Sequence, residues 1–467
     1  MTNTDSSQEK TALLTVMTTS FMTTFMGSSI NLALPAMGND LGSNAVVTSW
    51  IITAYILASA IFLLPFGRLA DIKGRRRVYL IGAIFYSLFT LLVPLANSVQ
   101  MVIALRALQG LSAAMIFGTG MAILSAVYPP QKRGKALGYS VSVTYLGLSA
   151  GPVVGGMMNQ HLGWESIFYV SGLMGLAAVY GAYARLKGEW IGAPGERFDI
   201  PGALLYIIGL LALLYGLSSV ESSSWAIYLA AAGLILLAVF VKWELTSKEP
   251  ILKIQLFRNN VTFTMSNLAA LINYSATFAV TFLLSLYLQV VQGYSSQTAG
   301  LILLAQPLVM ALLSPLAGRL SDRIEPRKVA SVGMACSALS LFLFSFLRLD
   351  TSPVLLIGVL ILAGFGFALF SSPNSNAVMS SVNIKLYGIA SSILGTMRLV
   401  GQAASMSIVT LLVAVYIGRV ALTDAPPADL LIMLRVAFGI FTVLCLFGVA
   451  ASLARGKVHE SNEKQAL

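Results

Sequence analysis

The sequence predicts an all-α integral membrane protein made of two six-helix bundles with two further helices inserted between them. Three observations predict it. Of 467 residues, 57% are hydrophobic and 10% charged, with a mean hydropathy of +0.83, which fits no soluble class. Long apolar runs recur with short polar breaks, which excludes a single anchor or a weakly alternating β-barrel; in hydrocarbon only a helix satisfies its own backbone within one segment. The phrase GRLADIKGRRRV at 67–78 returns as GRLSDRIEPRKV at 318–329, 251 positions later. That distance exceeds any solenoid period, so the repeating unit is half a protein.

Cutting at charges, prolines and polar clusters gives fourteen candidate spans in order. The first, 11–35, follows Lys10, and 46–66 and 77–97 flank the first charged phrase. Stretches 99–128 and 134–158 are parted by a proline and basic cluster, and 164–185 closes the first set at Arg185. Two mostly aliphatic stretches, 200–219 and 225–242, interrupt the repeat. Then 261–289, 297–318 and 328–347 repeat the opening order around the second phrase, and 353–376, 388–416 and 431–454 complete the chain. The expected organisation is a tail at 1–10, a bundle at 11–190, the insertion with linkers at 191–258, a bundle at 259–455 and a tail at 456–467. The opening MTNTDSSQEK carries acids and lacks a basic start, so a cleaved signal peptide is not expected. Cys336 and Cys445 fall inside apolar runs and read as packing residues.

Loop charge orients the chain. With the N-terminus in the cytoplasm, inside segments hold 24 of the 29 Lys and Arg; Arg348, Arg419 and Arg435 fall outside, and Arg106 and Arg398 within spans. Both termini are therefore expected in the cytoplasm. The same asymmetry accounts for the net charge of +11, so the basic balance reads as topology and contact with anionic lipid, not nucleic-acid binding. The five tryptophans fall at span ends, as an interfacial belt.

The phrase GRLADIKGRRR resembles the signature loop between the second and third spans of the major facilitator superfamily. SSINLALP at 28–35, RALQGLSAA at 106–114, GLSAGPVVGG at 147–156 and SSILGTMRLVGQAASMSI at 391–408 are similar to motifs of its fourteen-span drug:proton antiporters, the EmrB/QacA-like multidrug exporters. The resemblance covers essentially the whole chain. It implies alternating access, proton coupling, a small amphipathic organic substrate, no cofactor or metal, residence in the plasma membrane and a monomer. The 147–156 stretch resembles the exporter pattern. One departure matters: many family members carry an acid on the first span where this chain has Met26.

Within the first phrase, Asp71 can accept hydrogen bonds from a neighbouring helix N-terminus and Arg75 can bind carboxylates or lipid phosphate, so both are expected in a gating latch, with Asp322 as the second copy. Glycines 147, 151 and 155 line one helix face and Pro152 bends it, predicting close, polar-free contact that seals the outer side. Arg106 and Arg398 sit about 12 Å and about 15 Å from the ends of their spans. Such charges cost at least about 2.5 kcal/mol on insertion scales and normally face a partner in the bundle. All acids read as loop, tail or span-end residues, so the arginines need neutral partners such as Asn31, Gln109, Asn374 or Gln402, backbone carbonyls, or an anionic ligand. Structural, gating and substrate roles stay open for both. Tyr55, Asn273, Tyr274 and Gln306 complete the candidate substrate site, while Asn267, Gln289 and Asn376 are further polar residues within spans. No phosphate-binding loop, metal-ligand set or nucleophile with a base is present, so an enzyme or ATP-driven pump is not expected. Three functions compete: a proton-driven exporter of amphipathic compounds, a carrier of organic anions or acidic lipids, and a non-transporting receptor or scaffold.

Overall fold

The computed structural model describes residues 3–220, 223–258, 260–382, 386–418 and 420–456. In chain order its long helices are α1 (Asn3–Asp40), α2 (Ala45–Lys73), α3 (Arg75–Leu92), α4 (Val99–Val127) and α5 (Pro130–Ala150), the last continuing through a π turn at Gly151–Gly155 into Gly156–Leu162. Then come α6 (Glu165–Ala184), α7 (Ile200–Ser219), α8 (Ala226–Thr246) and α9 (Val261–Thr277, resumed at Val280–Leu286). The set ends with α10 (Ser296–Leu303 and Ala305–Arg323), α11 (Pro326–Phe344), α12 (Pro353–Ser380), α13 (Tyr387–Tyr416) and α14 (Pro427–Leu453).

Several helices start where a side chain offers an acceptor to the unpaired amides of a first turn. Asn44 accepts from the Val47 amide at 2.9 Å to begin α2, and Asn260 from Phe263 at 2.9 Å to begin α9. Asp199 accepts from Gly202 at 3.0 Å to begin α7. Thirteen of the described helices are long and apolar enough to cross a membrane. The remaining one, α1, has 38 residues but is diluted by threonine and serine. Those hydroxyls turn inward on the helix itself: Thr18, Thr23, Thr24 and Ser28 each donate to the carbonyl four residues earlier. An internally satisfied helix can lie among others without exposing polar groups.

The repeat seen in sequence is a repeat of packing. In the first bundle α1 packs on α5 and α6, α2 on α4, and α3 on α4 and α6; in the second, α9 packs on α13 and α14, α10 on α12, and α11 on α12 and α14. Each pairing recurs eight helices later. The contacts between bundles repeat as well, α2 against α13 and α5 against α10. The inserted helices α7 and α8 pair with each other, and α7 lies against both α2 and α13. There Tyr206 donates to the Ala60 carbonyl at 3.1 Å and Tyr215 meets Trp50. The insertion therefore covers one of the two seams.

Candidate functional site

Arg106, on α4, is 1% exposed. Its Nε donates to the Ile51 carbonyl at 3.1 Å, its Nη1 donates to Gln109 Oε1, and its guanidinium lies 4.2 Å from the centre of the Tyr55 ring. Gln109, fully buried, passes the chain on by donating to Thr90 Oγ1 at 2.5 Å. Three of the candidate residues thus form one cluster inside the first bundle, where a carbonyl, an amide and a ring face take the place of an acid.

Arg398, on α13, is only half-buried. Nη2 donates to Ser375 Oγ at 2.6 Å and the guanidinium stands 5.6 Å from the Tyr274 ring, while the buried Nε has no partner. Tyr145, on α5 of the opposite bundle, is within electrostatic range of Arg398 and Tyr274. Among the described residues neither arginine is in an ion pair.

The other candidates scatter. Asn374 is 1% exposed and accepts from Arg455 Nη1 at 3.0 Å, so it serves a buried arginine at the end of α14 and does not face Arg398. Arg455 is fully buried, with Nη2 on Ser452 Oγ and Nε on the Ser452 carbonyl at 2.9 Å. Burial pushes its guanidinium down to about 10, which leaves it charged at neutral pH. Asn273 is fully buried and neither side-chain polar atom is bonded. Gln402, one turn beyond Arg398, and Gln306 are half-buried. Asn31 folds its amide back onto the Gly27 carbonyl at 3.1 Å.

At the end carrying the charged phrases, Asp71 pairs with Arg75 on its own chain, Oδ1 accepting from Nη2 at 2.8 Å. The amides that begin α3 are capped from elsewhere: Glu189, in the linker after α6, accepts from Arg76 at 2.8 Å and Arg77 at 3.1 Å. Gly74, with φ of +112°, has no room for a side chain beside that carboxylate. The same linker donates the Gly192 and Ala193 amides to the Asp71 carbonyl, each at 2.9 Å, and pairs Glu196 with Arg68. Asp322 lies in α10, and its side chain falls outside the described residues.

At the opposite end the bundles are joined. Ser285 donates to the Asn31 carbonyl at 2.7 Å, Thr53 and Thr410 share a hydrogen bond of 3.0 Å, and the Ala45 amide donates to the Val420 carbonyl at 2.7 Å. The π turn that includes Gly151 and Pro152 lies in this closure. A methyl group on Gly151 would fall 1.8 Å from Ser28 Oγ, and one on Gly300 of α10 would fall 1.9 Å from the Pro152 carbonyl oxygen. Polar-free contact between the bundles was expected here, and the structure corrects that: Ser296 of the second bundle donates to the Gly156 carbonyl at 3.3 Å, while within the first bundle Ser29 donates to the Gly151 carbonyl at 3.1 Å. A bent, π-turned helix leaves carbonyls in need of donors.

Glu244 keeps to the reading of the acids as loop, tail or span-end groups, standing in the last turn of α8, but it is buried. Helix α8 runs past Lys242 to Thr246 and buries Glu244 completely, with Oε2 accepting from the Leu252 amide at 2.7 Å and Oε1 unbonded. The missed residues are inconspicuous in sequence. Arg455 and Glu244 sit where apolar runs end, and Tyr145 reads as one more tyrosine within a span until the opposite bundle is placed beside it.

Two helical bundles that repeat each other's packing in a multi-pass membrane protein have the architecture of a secondary transporter, and the family and its transporter relatives make the chain a transporter and not an enzyme. Residues 16–406 and 266–466 match the Major Facilitator Superfamily, and the chain belongs to it. It is 31% identical over 378 residues to the riboflavin transporter RibZ of Clostridioides difficile, covering 81% of this chain and 82% of that one. Identity is 32% to the cephamycin export protein CmcT of Amycolatopsis lactamdurans, with coverage of 85% and 84%. It is 30% to the multidrug resistance protein Stp of Mycobacterium tuberculosis, with 88% and 77%. In fold, the chain is similar to a bacterial homologue of the human lysosomal transporter Spinster, crystallised in an inward-facing and unoccupied conformation, with a TM-score of 0.70 at 14% identity over 96% of each chain.

Proposed function

We propose that this transporter is a proton-coupled exporter of small amphipathic organic compounds, working by alternating access in the plasma membrane as a monomer among lipids. The observation that carries the reading is the closure at the end away from the charged phrases, where Ser285 meets Asn31 and Thr53 meets Thr410 beside a glycine and proline π turn. The positive-inside rule puts the charged end in the cytoplasm. On that orientation both termini are cytoplasmic, α1 is the fourteenth span, and the state is open toward the cytoplasm, ready to load an outgoing compound. The Asp71 and Arg75 pair, with Asp322 in the second copy, acts as the gate on that side. Relatives named for multidrug resistance and for cephamycin export support the direction and the substrate type.

The test is uptake into inside-out vesicles carrying an imposed proton gradient, acid inside, with a panel of neutral, anionic and cationic amphiphiles. Gradient-dependent uptake that collapses with an uncoupler is expected. Uptake indifferent to the gradient would sink the proton coupling, and no uptake of any compound would sink export. A second reading, a carrier of organic anions or acidic lipids, is favoured by one specific observation, the two arginines without ion-pair partners among the described residues.

A further inference from the structure

We propose that Arg398, Tyr145 and Tyr274 form a subsite for the anionic group of an aromatic substrate, and that Arg106 is not part of it. The inference rests on the transporter reading above and names the substrate class it serves. The two arginines differ in what they have left to bond. Arg106 is sealed at 1% exposure, with Nε and Nη1 both engaged and Tyr55 under its face. Arg398 is half-buried and holds one serine, and its buried Nε points at no acceptor.

Arg398 lies about 16 Å into α13 at 1.5 Å per residue. A guanidinium at that depth is expensive unless an acceptor meets it, and no described acid pairs with it. A carboxylate or sulfonate suits the vacant Nε and an adjacent N–H, because a planar fork can grip two oxygens at once. The surroundings select the rest of the ligand. Tyr274, packed edge-on against Phe367 at 5.5 Å, offers a ring face. Tyr145, on α5 where that helix packs against the opposite bundle, lies by Ser314 and Ser371 and within electrostatic range of both Arg398 and Tyr274, so its hydroxyl is placed to turn to the same anion. An occupant held by α5 on one side and α9 and α13 on the other would be released when the bundles part, which is what a carrier's site requires.

The experiment uses the full chain in nanodiscs and in inside-out vesicles, with 4-(1-pyrenyl)butyrate, its uncharged methyl ester and the cation ethidium as probes. Binding is read by pyrene or ethidium fluorescence and transport by accumulation. Wild type should bind the acid about tenfold or more tightly than the ester, the scale of a charge-assisted hydrogen bond. Arg398→Gln should abolish that preference while ester and ethidium stay within about twofold, Arg398→Lys should restore part of it, and Tyr145→Phe should weaken the acid by about threefold. Equal loss for all three probes, or no loss, would overturn the proposal. So would an anion site that phosphatidylglycerol occupies and pyrenebutyrate cannot enter, which would make it a lipid site. Anion-selective binding that depends on Arg398 without vesicle uptake would keep the subsite and dismiss export, so the two readings fail separately.

Discussion

Removing the Arg106 side chain would leave Gln109 Oε1 without a donor in a sealed pocket and take a second donor from the Ile51 carbonyl, which also serves the ladder of α2. An orphaned buried group costs roughly 1–3 kcal/mol. Arg106→Ala should therefore lower the detergent-phase melting temperature clearly, and Arg106→Lys should recover little, since an ammonium cannot stack flat on Tyr55 or fork to both acceptors. Melting of Arg106→Lys at the wild-type temperature would disprove the structural assignment. A parallel argument applies to Asn374→Leu, which strips Arg455 of an acceptor; it should destabilise by about 1–3 kcal/mol without changing the order of substrate preference, and an altered preference measured in vesicles would return Asn374 to the substrate site. The sequence marks Arg106 and Arg398 because a charge inside an apolar run is conspicuous. It cannot divide their roles, which depend on which acceptors the neighbouring helices bring. Arg455 was hidden for the opposite reason, since it stands among basic residues that topology already explains.

Glycines on α5 and α10 control how closely helices approach at the sealed end. Because a methyl group on Gly300 would lie 1.9 Å from the Pro152 carbonyl oxygen, backbone and not a movable side chain, Gly300→Ala must spread α5 from α10. It should impair transport strongly while preserving expression, and faster labelling of a cysteine at Gln160, beside Ser296, should report the loosened seal. Unchanged labelling would mean that the π turn absorbs the strain. The helices themselves were legible from hydropathy, because a span must be apolar over its whole length. Their ends were less so. The run cut at Lys242 continues by a further turn to Thr246, where the Leu252 amide gives Glu244 a partner, a contact made by the chain's return and invisible along α8. The linker's clasp on the first charged phrase was likewise out of reach, since it joins residues more than a hundred positions apart.

The two halves are related by the repeat, so their motions should be too, and the state described here has its cross-bundle hydrogen bonds gathered at one end. If the bundles rock as rigid bodies, that end must open once in every cycle. Thr53 on α2 and Thr410 on α13 share a hydrogen bond of 3.0 Å across the seam, so their side chains already touch where an engineered disulfide would have to form. Both residues are fully buried and neither touches Arg398 in the described contacts. In a background with Cys336 and Cys445 replaced by alanine, the pair Thr53→Cys and Thr410→Cys should cross-link on mild oxidation. Cross-linking should stop vesicle transport and leave anion binding intact if, as proposed, the site loads from the charged end, and reduction should restore turnover. Full transport by the oxidised protein would show that the closed end never needs to part, and alternating access about this seam would have to be abandoned.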